Sequence, residues 1–73
     1  MGAVEALNQF AANLRAARIA AGLSQEALGN ACGLHRTEIS LLERSGREPR
    51  LGTIVKLARA LKVPPAGLLG GIE

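Results

Sequence analysis

Apolar residues recur at three- and four-residue spacing along most of this chain, and nowhere in the strict alternation of a strand. Leu7, Phe10, Ala11, Leu14 and Ala17 form the first such stripe, which predicts an amphipathic helix over about residues 4–21. Gly22 supplies a left-handed stop, with Leu23 placed to fold back over the last turn. Ser24 suits the N-cap of a second, short helix with Glu26 in its first turn. Leu28 and Cys32 face inward from it, and Asn30 and Gly33 end it. A third helix is expected from about His35 to Arg44, closed by Ser45-Gly46, before Pro49 breaks the pattern. Ile54, Leu57, Ala58 and Leu61 give a fourth stripe over about residues 51–62. Pro64-Pro65 then opens a last short turn of helix carrying Leu68 and Leu69, with Pro65 suited to its first position. The fold class predicted is all-α, a compact set of five helices joined by short loops.

Residues 1–73 are enough for one domain. With no Trp, no Tyr and one Phe, its core must be built from Leu, Ile, Val and Ala. A chain of this size buries only about 60% of the surface its unfolded form exposes, so self-association is an expected reinforcement. The lone Cys32 excludes an internal disulfide and a cysteine-based metal cluster, and His35 has no partner ligand, so no metal and no cofactor are expected. Cys32 itself reads as a small buried hydrophobe.

Residues 24–45 carry the functional signal. They form two short helices around Gly33, a residue that tolerates the positive φ of a tight turn. Leu28, Cys32, Leu34, Ile39 and Leu42 point inward and set the second of these helices at a steep angle to the first. At 100° per residue, its buried direction bisects Ile39 and Leu42. Thr37 and Arg44 then lie roughly 170° away, Ser40 and Leu41 roughly 130° away, and Arg36 on the flank. That face offers hydrogen-bond donors and apolar methyls, with no acid at its centre. Such chemistry fits the major groove of DNA, where arginine pairs with guanine O6 and N7 and small hydroxyls meet several base edges. Nine Lys and Arg against six Asp and Glu give a formal charge of +3. All nine cations lie between Arg15 and Lys62, as a polyanion partner would favour.

The stretch GLHRTEISLLER (residues 33–44), followed by Arg47-Glu48-Pro49, carries a resemblance to a known family. Residues 11–69 look like the Cro/Xre helix-turn-helix regulators, with their lambda-repressor-like DNA-binding domain. They are similar in particular to controller proteins of restriction–modification systems, which are small dimers without a second domain. The resemblance implies a phosphate contact for Gln25 and base or nearby phosphate contacts for His35, Arg36, Thr37 and Ser40. It places Arg44, Arg47 and Arg50 where relatives grip the backbone or reach a minor groove, and it implies a structural ion pair between Arg18 and Glu43. Departures are Gly29 for the usual alanine, Glu38 for an aromatic or polar residue, and a late Ser45-Gly46. Arg50 and Pro64 also stand where capping residues are common.

The expected function is that of a sequence-specific double-stranded DNA-binding regulator, a homodimer on a palindromic operator. Residues 63–72 are the candidate dimerisation region, with Val63, Pro65, Leu68 and Ile72 as its apolar contacts. The alternative is an antitoxin or adaptor that uses the same fold to hold another protein. No nucleophile–base set, paired carboxylates or cofactor loop suggests an enzyme, and no small-molecule ligand is expected. No apolar run nears the ~20 residues of a membrane span, and no signal peptide is evident, so the expected location is the cytoplasm.

Overall fold

A computed structural model describes residues 1–73. It contains α1 (Ala3–Ala20), α2 (Gln25–Cys32), α3 (Arg36–Glu43) and α4 (Leu51–Leu61), followed by a 3-10 turn (Pro65–Leu68), and no strand. The four α-helices fall where the apolar stripes place them. The fifth helix is corrected to a single 3-10 turn. Pro64 and Pro65 lack N–H donors, and Gly67, Gly70 and Gly71 favour no helix. Only i→i+3 bonds form there, from Gly67 N to Pro64 O (2.8 Å) and from Leu69 N to Ala66 O (3.1 Å).

The helix ends follow local chemistry. After α1, Gly22 adopts φ 73°, and the Leu23 N–H reaches back to Arg18 O (3.1 Å). Ser24 Oγ accepts from Ala27 N (3.0 Å) and caps α2. Gly33 ends α2 at φ 75° and turns the chain into α3. After α3 and α4, however, the left-handed position is taken by Ser45 (φ 60°) and Lys62 (φ 58°) rather than by glycine. Arg50 precedes α4 without a side-chain cap.

Each element delivers at least one fully buried aliphatic side chain to a single core: Leu14, Leu28, Ile39 and Leu42, Leu57 and Leu68 in chain order. Phe10, Ala58 and Leu61 complete it, while Cys32, Leu34 and Ile54 press against it from the rim. Truncating one of the six to alanine costs about 2–5 kcal/mol, a large part of the stability of a domain this small. Leu68 is therefore a core residue of the monomer. Its expected role in a contact with a second copy is corrected, because no atom of it reaches the surface. Val63 and Ile72 are half-buried against the same core, and Pro65 is exposed.

The segment after α4 is fastened to α1 by one side chain. Asn13 Nδ2 donates to Leu68 O (3.0 Å) and Gly70 O (2.8 Å), and Gln9 Nε2 donates to Asn13 Oδ1 (2.9 Å). No helix is long and apolar enough to cross a membrane.

Candidate nucleic-acid interface

The interface is built from α3 outward. Ile39 and Leu42 have no exposed surface and fix the inner side of the helix. Arg36, Thr37 and Arg44 are exposed, and Ser40 and Leu41 are half-buried. The helix thus presents the polar side that its spacing places away from the core. Arg44 Nη1 donates to Ser40 Oγ (3.2 Å), one turn apart on that side. His35 is the N-cap of α3, and its Nδ1 accepts from Thr37 N (3.0 Å). A neutral ring making that bond carries its proton on Nε2.

Beneath this face lies a network joining three helices. Arg18 Nε donates to Glu43 Oε2 (2.6 Å) and its Nη2 to Glu43 Oε1 (3.1 Å), a bidentate pair. Arg18 Nη1 also donates to Leu23 O (2.8 Å), and Gln25 Nε2 donates to Glu43 Oε1 (3.2 Å). The side chains of Arg18 and Glu43 are only 12% and 4% exposed, so the ion pair is a sheltered brace between α1 and α3. The hydrogen bond to Glu43 pushes the Arg18 guanidinium further into its charged range, against the opposing effect of burial. Gln25 sits at the first position of α2 and shares a cleft with Arg36. Its side chain is committed in part to Glu43, which its place at a helix start does not foretell.

Gly29 acquires a reason in the structure. A Cβ there would fall 2.4 Å from Leu34 O, so α2 and the start of α3 have closed into the space an alanine methyl would occupy. Leu34 N donates back to Gly29 O (2.9 Å), sealing the turn. The glycine thus exchanges helix propensity for closer packing of the two helices.

Two acidic residues, neither singled out as a site in the sequence, touch the expected DNA-contacting arginines. Glu26 lies 4.0 Å from Arg36, with both side chains about two-thirds exposed, a contact of little strength. Glu38 accepts from Arg47 Nη1. Arg50 stays exposed, lining the same cleft as Glu38 and Arg47. Arg15 joins Arg44 along a groove between α1 and the end of α3, adding a cation that periodicity alone assigns only to a solvated helix face. Cys32 is half-buried, and burial pushes its thiol up, away from the reactive thiolate. No three His, Cys, Asp or Glu side chains converge as a metal site.

Comparison with known proteins agrees with this geometry. A family model described as helix-turn-helix matches residues 14–68. The control protein C.BamHI of Bacillus amyloliquefaciens is 43% identical over 61 residues, spanning 82% of this chain and 75% of that protein. The control protein C.SmaI of Serratia marcescens is 44% identical over 60 residues, spanning 82% and 71%. Among solved structures, the restriction–modification controller protein C.AhdI from Aeromonas hydrophila superposes with a TM-score of 0.83 at 44% identity, covering 85% of this chain and 94% of that one. The chain belongs to the helix-turn-helix family, in its Cro/Xre branch, and is similar to the restriction–modification controller proteins.

Proposed function

We propose that the chain is a sequence-specific, double-stranded DNA-binding transcriptional regulator that controls restriction–modification genes in the cytoplasm. It acts by binding and not by catalysis, as a homodimer on a palindromic operator. Each subunit lays α3 in the major groove, with half-sites one helical turn, about 34 Å, apart. The observation that supports this most directly is the two-sided α3. Ile39 and Leu42 are locked into the core while Arg36, Thr37 and Arg44 remain exposed on the other side. The similarity to control proteins extends the reading from DNA binding to regulation.

Arg36 is the candidate base reader, with Thr37 and Ser40 beside it. Gln25, His35, Arg44, Arg47 and Arg50 are the candidate phosphate contacts. Selection of preferred sites from random duplexes is expected to return a palindrome. Arg36→Ala should then cost about 1–3 kcal/mol of binding and relax the preference at one base pair. Arg47→Ala should weaken operator binding without relaxing the preference at any base pair, and flatten the operator's salt dependence by about one unit. Equal losses for both variants on selected and random DNA would refute this division of roles. Indifference to DNA even in dilute salt would refute the function.

A further inference from the structure

Arg47, expected to grip phosphate, is already engaged. Its Nη1 donates to Glu38 Oε1, nine residues back on the first turn of α3. The two side chains are 55% and 24% exposed, so the carboxylate is the sheltered partner and the guanidinium the accessible one. They line a wholly non-hydrophobic cleft with Glu48, Pro49, Arg50 and Thr53, between α3 and the start of α4. By helix geometry Glu38 lies about 70° from the buried direction, on the flank of α3 opposite Arg36. It therefore borders the face that meets DNA, where a phosphate drawn to Arg47 must approach a second negative charge.

We infer that Glu38 is a specificity-determining residue that competes with DNA phosphate for Arg47. The inference rests on the DNA-binding function proposed above. Binding to random DNA is almost wholly electrostatic, so a cation withheld by a carboxylate is lost to it in full. At the operator, base contacts from Arg36, Thr37 and Ser40 seat α3 at one depth and register. A phosphate is then presented to Arg47 at contact distance and takes the guanidinium from Glu38. On random DNA the looser, hydrated approach leaves Arg47 with Glu38, whose charge repels the backbone. The pair thus holds down binding to DNA at large more than binding to the operator.

The test compares dissociation constants on a selected operator and a random duplex across a range of salt, for the parent, Glu38→Gln, Glu48→Gln and the double variant Glu38→Gln with Arg47→Ala. Glu48 is an exposed carboxylate in the same cleft without an ion-pair partner, so its variant controls for a bare change of net charge. Glu38→Gln should tighten random-duplex binding several-fold and steepen its salt slope by about 0.9, the signature of one further phosphate contact. The ratio of operator to random affinity should fall several-fold, and Arg47→Ala should abolish the gain. Glu48→Gln should move both duplexes together. The inference is overturned if Glu38→Gln behaves like Glu48→Gln, or if it weakens both duplexes, as the loss of a mere prop for the loop would. A parent chain that ignores every duplex in dilute salt would instead bring down the DNA-binding function itself.

Discussion

Arg18 and Glu43 show how much of this small protein rests on single residues. Their pair is nearly sealed from water, so removing one partner strands the other's charge in the interior. Arg18→Met is expected to cost about 3–5 kcal/mol, read from the shift of the urea midpoint at constant slope. Adding Glu43→Leu to it should restore part of that loss, because an apolar replacement of the whole pair removes the stranded carboxylate. If the double variant is less stable than Arg18→Met, Glu43 contributes more through its bond from Gln25 and its packing than its stranded charge costs. The pairing itself is legible in the sequence through family resemblance. Gln25 joining it is not, and neither is Asn13 holding carbonyls 55 and 57 positions away. A polar side chain that reaches across the fold leaves no periodic trace.

At the scale of elements, the four α-helices were readable because each must bury an apolar stripe at its own period. The last element was not, since two prolines and scattered glycines around Leu68 fix where the chain bends but not which ladder forms. After α3 and α4 the left-handed stops fell on Ser45 and Lys62 rather than on the glycine usually preferred there. Gly29 is the clearest case of packing overriding propensity. Replacing it with alanine in an unconstrained helix would gain up to about 1 kcal/mol. Here the new methyl must push back the Leu34 carbonyl. Gly29→Ala is therefore expected to be no more stable than the parent in thermal or denaturant unfolding. A clear rise in melting temperature would show that the turn reopens freely.

The whole molecule leaves apolar surface uncovered. Leu51 is 77% exposed and Leu69 40% exposed. Leu69 and Ile72 line a mostly apolar cleft with Ala3, Ala6, Leu7 and Phe10 of α1 and Ile54 of α4. The proposed pairing of two copies would cover part of this surface. The candidate contacts Val63, Pro65 and Ile72 border the turn that directs Leu68 inward. Leu51→Glu and Leu69→Glu are each expected to shift sedimentation toward the monomer mass while leaving the melting temperature nearly unchanged, since exposed positions contribute little to folding. Unaltered sedimentation in both would move the contact elsewhere. The charge pattern and the outward face of α3 were visible from spacing alone. The Glu38–Arg47 contact was not, because it depends on how the loop folds back against the helix.

The division of α3 into two sides also bears on how such a protein changes its target. Positions 36, 37, 40 and 44 lie outside the buried core cluster, whereas 39, 42 and 43 are tied to the scaffold. With α3 in its proposed role, new operator preferences would be reachable by drift at a handful of codons, each step leaving a folded intermediate for selection to act upon. A library randomised at those four codons should yield mostly folded members, a practical route to retargeting the scaffold.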